Sequence, residues 1–163
     1  MRKLILLAAA GLFALTSSAV DAATYSALAS MDSQVAKAPM TGYPIVMTGD
    51  VTDGYKVEGS KITILRAGDY FVSGAAQVGG TGTGDVYLWV RVNGQDVTDS
   101  NSIQTIPSQG FTAVLVATTE MTFKAGDVLE LVYAATQPGL GLVASRPKGL
   151  PGVPSIIFSI FEL

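Results

Sequence analysis

The sequence has no cysteine and no histidine. Without cysteine there is no disulfide to hold a small secreted fold, no thiolate zinc site, and no sulfur for lipid attachment beside a processing site. Without histidine, the Ser-His-Asp and Cys-His arrangements of nucleophilic catalysis are excluded. Charge is also sparse: ten basic and thirteen acidic residues give a net of −3, and only 14% of residues are charged against 48% hydrophobic. That balance implies apolar surface covered by other subunits. The basic residues Lys37, Lys56, Lys61, Arg66, Arg91, Lys124, Arg146 and Lys148 are scattered, with no interleaved aromatics. Nucleic acid is therefore not an expected partner. Asp85, Asp96, Asp99, Asp127, Glu130 and Glu162 lie at expected strand edges with no motif tying two together. They read as turn caps and solvated surface, so the chain is not expected to be an enzyme.

The first residues have a pattern of their own. Arg2 and Lys3 precede an uncharged apolar run, Leu4 to Thr16, followed by small residues up to Ala22. A basic start, a short apolar stretch and small residues at a cleavage position make a secretory signal peptide over 1–22. The run falls short of the roughly 20 apolar residues needed to span a bilayer. No later segment is long enough either, so no membrane span is expected after cleavage. Residues 23–42 carry small and polar residues without a clear period and read as an N-terminal arm or linker. The expected location is secreted, extracellular or cell-surface, or periplasmic. A leader this simple fits a bacterium.

From residue 43 onward, short apolar segments recur between turn residues. Strands are expected at 43–48, 61–65, 69–78, 85–93, 111–118, 120–123, 128–135, 140–145 and 155–163. The fourth shows the period best: Val86, Leu88, Val90 and Val92 alternate with Tyr87, Trp89 and Arg91. Ile156, Phe158 and Ile160 alternate with Ile157, Phe161 and Leu163 near the C-terminus. Strands apolar on both faces are buried on both sides, one face in the sandwich and one against a subunit. Asn93-Gly94 is a hairpin turn pair. Ala-Gly-Asp stands between strands twice, at 67–69 and at 125–127. Many short strands with Gly- and Pro-rich turns imply an all-β sandwich or jelly roll.

Three segments invite a chemical reading. Gly79 to Gly84 looks like a phosphate-cradling loop, yet a strand follows where a helix is required, and no lysine is present. It reads as a flexible hairpin loop. The oxygen-rich stretches Asp96–Asn101 and Asp50–Asp53 are the places for calcium, though neither has EF-hand spacing and turn formation explains both. No cofactor is expected, with calcium the one possibility carried forward. Trp89, the lone tryptophan, reads as a core or interface residue, with stacking on a sugar as its other use.

Residues 43–163 resemble the jelly roll of the tumour necrosis factor (TNF) and complement-q globular-head superfamily. Tyr43-Pro44-Ile45 resembles its opening strand. Lys61-Ile62-Thr63-Ile64 and Ala67-Gly68-Asp69-Tyr70-Phe71-Val72 resemble its AG-x-Y-x-F/V segment. Val86 to Val92 with Asn93-Gly94 resembles the strand–NG hairpin. Gly126 to Leu131 resembles the GD-x-L/V-x-L strand, and Pro154 to Ile160 the closing strand. Two departures stand out: no collagen-like stalk is present, and Ser159-Ile160 occupies the place of a frequent glycine.

The resemblance implies a two-sheet antiparallel jelly-roll sandwich, no enzymatic activity, and a homotrimer with aromatic residues at its subunit contacts. By position the interface candidates are Tyr70, Trp89, Tyr133, Phe158 and Phe161. It also implies binding of a protein or glycan surface through exposed loops, with Thr81, Thr83, Asp96, Asp99, Asn101, Arg146 and Lys148 as candidates. The alternative is a structural subunit of an extracellular fibre, coat or matrix. There the 23–42 arm would add a strand to the next subunit.

Overall fold

Side chains on a strand alternate between two faces, so each apolar strand commits one parity of its residues to the core. The computed structural model describes residues 25–49 and 54–163. In chain order its strands are β1 (Tyr25–Ser30), β2 (Gln34–Val35), β3 (Tyr43–Pro44), β4 (Tyr55–Glu58), β5 (Lys61–Ile64), β6 (Gly68–Gly80), β7 (Gly84–Val92), β8 (Gln95–Asp96), β9 (Ser102–Ile106), β10 (Ala113–Phe123), β11 (Val128–Ala135), β12 (Leu140–Leu142) and β13 (Ile156–Glu162). One 3-10 turn covers Thr98–Ser100. Among the described residues no helix is long and apolar enough to cross a membrane.

The strands form two antiparallel sheets. One has six strands in the order β1-β13-β6-β12-β2, with β10 along the other edge of β6. The other has seven, in the order β4-β5-β11-β7-β8, with β3 also on β11 and β9 also on β7. Their inner faces meet in one core. The six-stranded sheet contributes Leu28, Tyr70, Val72, Ala76, Leu115, Phe123, Phe158 and Ile160, and the seven-stranded sheet Ile62, Ile64, Leu88, Val90, Leu129 and Leu131. Gly74 stands opposite Leu131, whose Cδ2 lies only 2.5 Å from where a Cβ at 74 would sit. That glycine sets the local spacing of the sheets.

This arrangement is the expected all-β jelly-roll sandwich, with differences of detail. The segments expected at 111–118 and 120–123 are a single strand, β10, because the polar Thr118 and Glu120 lie on its solvent face and do not interrupt the ladder. Four further short strands, β2, β4, β8 and β9, carry too few apolar residues to announce themselves. The segment 23–42, expected as an N-terminal arm or linker, carries two paired strands. Tyr25–Ser30 pairs in full with β13, from Tyr25↔Phe161 to Ser30↔Ile156, and Gln34–Val35 pairs with β12. Small residues gave this segment no period of its own; the backbone of β13 supplies its partner groups. The signal-peptide reading of 1–22 lies outside the described residues.

The turns also separate two look-alikes. Asn93 and Gly94 take φ of 51° and 78°, the left-handed pair of a tight hairpin. Gly126 of the second Ala-Gly-Asp has φ 93°, whereas Gly68 of the first is not in the left-handed region and begins β6. The two copies are not equivalent turns.

Gly141 marks a close strand-to-strand approach between β12 and β2. Its φ is 155°, and a Cβ there would lie 2.5 Å from the Gln34 carbonyl oxygen and 2.9 Å from Tyr133 Cε2. G141A is therefore expected to lower stability by about 1–3 kcal/mol through overpacking and backbone strain. Urea unfolding measures this, and wild-type stability in G141A would contradict the close pairing of β2 with β12.

Candidate functional site

Two surfaces remain once the core is assigned. The first is the outward face of the six-stranded sheet. Register places Val116, Ala75 and Ile157 in one row across β10, β6 and β13. Val114 is 65% exposed, and Val116 and Ile157 are each 46% exposed. Two rows over, beyond the hydroxyl row Thr118–Ser73–Ser159, Phe71 and Phe161 face each other with ring centroids 6.0 Å apart, both half-buried. These are apolar side chains on a face with no covering element among the described residues.

The second surface is a concavity of about 290 Å³ on the outside of the seven-stranded sheet. Tyr87 and Trp89 project from β7 two residues apart, so they share a face. Ala134 of β11 lies in register with Tyr87, and its small side chain leaves the floor open. Val97, Thr98 and Asn101 form one wall and Met40 another. Gly42 lets the chain pass close to the indole, since a Cβ there would lie 3.2 Å from Trp89 Cζ2. Tyr43 fixes that crossing segment: its hydroxyl accepts the Ala38 N–H at 2.8 Å and the Lys37 N–H at 3.2 Å. Its ring packs 5.6 Å from that of Tyr133, whose hydroxyl pKa burial pushes up to about 12.

Asp96 sits at the rim. The Trp89 Nε1–H and the Arg91 Nε–H both donate to its Oδ1 at 2.7 Å. The Arg91 guanidinium, and then the Trp89 indole, hold the Asp96 carboxyl below the usual aspartate range. The loop beyond is tied down by Ser100: its hydroxyl accepts the Val90 N–H at 2.9 Å and donates to the Val97 carbonyl at 2.8 Å. The hairpin end of β7 is braced as well. Asn93 Nδ2 donates to Asp127 Oδ1 at 2.9 Å and Asn93 Oδ1 accepts the Val128 N–H at 2.9 Å.

No protein-family model matches the sequence, and no curated protein matches it. Among solved structures, murine APRIL at pH 5.0 aligns with a TM-score of 0.63 at 12% identity, covering 87% of this chain and 100% of that one. Murine APRIL at pH 8.0 aligns with a TM-score of 0.62 at 12% identity and the same coverage. The chain has the TNF-like jelly-roll fold.

Within this TNF-like sandwich the expected interface residues divide sharply. Tyr70 and Phe158 are fully buried between the sheets, Tyr70 edge-on to Phe123 at 5.7 Å. Tyr133 is buried as well. All three side chains lie inside the sandwich, so they are not available as contacts on either outward face. Aromatic character alone does not distinguish a core from a contact position; here strand parity points each of the three inward. Phe161 lies on the outward face of the six-stranded sheet and Trp89 on that of the seven-stranded sheet, so those two do not share a surface. The outward apolar residues Phe71, Val114, Val116 and Ile157 each stand one position from a core residue.

The expected loop residues of the TNF-like domain do not converge. Thr81 and Thr83 lie at the β6–β7 turn, where the Thr81 N–H donates to the Gly139 carbonyl at 3.2 Å. Asp96 lies beyond the far end of β7, about eight residues at roughly 3.3 Å each from that turn. Arg146 donates through Nη2 to the Met31 carbonyl at 3.2 Å, bracing the β12–β13 connection, and Lys148 is exposed nearby. Only Asp96 and Asn101 join the Trp89 concavity; Asp99 is exposed on the adjacent 3-10 turn. Among the described residues no three His, Cys, Asp or Glu side chains cluster as metal ligands. Asp50–Asp53 lies outside the described residues.

The Asp96 cluster has a pH signature. Because the folded carboxyl titrates below its ordinary value of 3.8, the contribution of the pair is complete above that value and is lost as pH falls through the folded midpoint. The lone tryptophan reports it directly. Trp89 emission is expected to step with a midpoint below 3.8, and D96N to lack the step. A midpoint at or above 3.8, or an unchanged step in D96N, contradicts the pairing.

Proposed function

We propose that the chain is a secreted, non-enzymatic binding module that assembles as a homotrimer through the outward face of its six-stranded sheet. The observation that carries this reading is the exposed apolar row Val116–Ala75–Ile157 with Val114 beside it, and the Phe71–Phe161 pair beyond a row of hydroxyls on the same face. An isolated sheet face with this composition is an association surface or an aggregation hazard. A closed symmetric assembly resolves that by covering it. The resemblance to the TNF and complement-q superfamily favours three subunits. Secretion rests on the basic and apolar leader, and the absence of histidine and cysteine supports a binding role over catalysis.

The fibre reading needs an arm free to pair with the next subunit. Here β1 already occupies the edge of β13 in its own chain over six residue pairs. Strand donation would require β1 to leave that edge first, which weighs against an open polymer.

Parity gives the test. I157E changes an outward residue and is expected to yield a folded monomer by light scattering, with little change in stability apart from lost assembly. F158A, one residue along, removes a fully buried ring and is expected to cost about 3–5 kcal/mol. A trimeric I157E would contradict the assignment of this face.

A further inference from the structure

We propose that the concavity bounded by Tyr87, Trp89, Asp96 and Asn101 binds one ring of a neutral saccharide. This deepens the binding-module reading and rests on it, since it names the ligand class of such a module.

Size comes first. About 290 Å³ lies at the lower edge of small-molecule sites, which run from roughly 300 to 1,000 Å³. The space suits a single ring better than an extended peptide. Surface chemistry comes next. Tyr87 and Trp89 are half-buried and side by side, giving an aromatic platform for the C–H face of a pyranose. Around it stand groups that exchange hydrogen bonds with hydroxyls: the Asn101 amide, the Thr98 hydroxyl and the Asp96 carboxylate. Both intramolecular bonds to Asp96 fall on Oδ1, so Oδ2 keeps its lone pairs for a ligand hydroxyl.

Charge decides between ligand classes. An aromatic pair beside a carboxylate also describes a cage for a quaternary ammonium ion. Here Arg91 already neutralises Asp96 through a 2.7 Å contact, so the site has no net charge to offer a cation. An anion would meet the Asp96 carboxylate at the rim. A neutral polar ligand is matched by what remains.

The walls are held in advance of binding. Ser100 ties the Asp96–Asn101 loop to the β7 backbone, and Tyr43 holds the segment that crosses the indole. Met40, on the opposite wall, adopts φ 52°, a left-handed conformation unusual for its type, and its N–H donates to the Ala135 carbonyl at 2.7 Å. Strained backbone of this kind persists only where surrounding contacts fix it, and it concentrates at binding sites. The concavity and the apolar row lie on different sheets and face outward from each, so assembly would leave three such sites open. Weak single-ring binding then gains strength by avidity on a multivalent surface.

The lone tryptophan makes the test specific. Residues 23–163, labelled with ¹⁵N, are titrated with the methyl glycosides of glucose, galactose, mannose, rhamnose and N-acetylglucosamine, and with choline. The indole N–H resonance of Trp89 is the readout. At least one glycoside is expected to shift it saturably, and Y87A to weaken that binding by about tenfold while keeping the fold. No shift with any glycoside overturns the proposal, as does an unchanged affinity in Y87A or a response to choline alone. Light scattering on the same samples keeps the two readings apart. A trimer without glycoside binding sinks only the saccharide site, whereas a monomer that binds sinks only the assembly.

Discussion

The structure depends on one strand, β6, and on the parity of its side chains. Over Gly68–Gly80 it pairs with β10 along one edge and with β13 and β12 in succession along the other. Its inward residues Tyr70, Val72, Ala76 and Val78 are fully buried, and Gly74 between them admits Leu131 from the opposite sheet. A one-residue slip of this ladder would turn Phe71, Ser73, Ala75 and Gln77 into the core and expel the residues that fit. Because β6 fixes its neighbours, the same parity decides which residues of β10 and β13 face out. The apolar row on that face is thus a consequence of core packing, set by the same register.

Much of the fold is legible in the sequence wherever a strand alternates strongly and ends on a turn pair. The segment from Val86 to Gly94 shows both, and its hairpin adopts the backbone that Asn-Gly implies. Legibility fails where a strand is stabilised by its partner and not by its own side chains. Tyr25–Ser30 contains little apolar bulk, yet it pairs with β13 from Ile156 to Phe161. Ser102–Ile106 is similar: it buries Ile106 but leaves Ile103 exposed, and its identity as a strand comes from pairing with Gly84–Leu88.

The candidate surfaces are less legible, for a related reason. In strands such as Ile156–Glu162 both parities are apolar, so composition gives no sign of which points inward. Phe158 and Ile157 are adjacent in sequence and opposite in fate. Likewise, the concavity at Trp89 draws on Met40, Tyr87, Asp96 and Asn101, which come from four segments. Their conjunction depends on the crossing of residues 37–43 over the second sheet, held by the Tyr43 hydroxyl. Asp96 was visible as a turn residue, but its bonds to Trp89 and Arg91 arise only from the β7–β8 pairing that sets Arg91 opposite it.

The account joins a tightly specified core to an uncovered apolar face, and its central claim is that other copies of the chain cover that face. Sedimentation equilibrium of residues 23–163 over a wide concentration range tests this most directly. The account predicts a single species of three times the chain mass that persists on dilution. A monomer at the highest concentration, or mass that grows without limit, would contradict it.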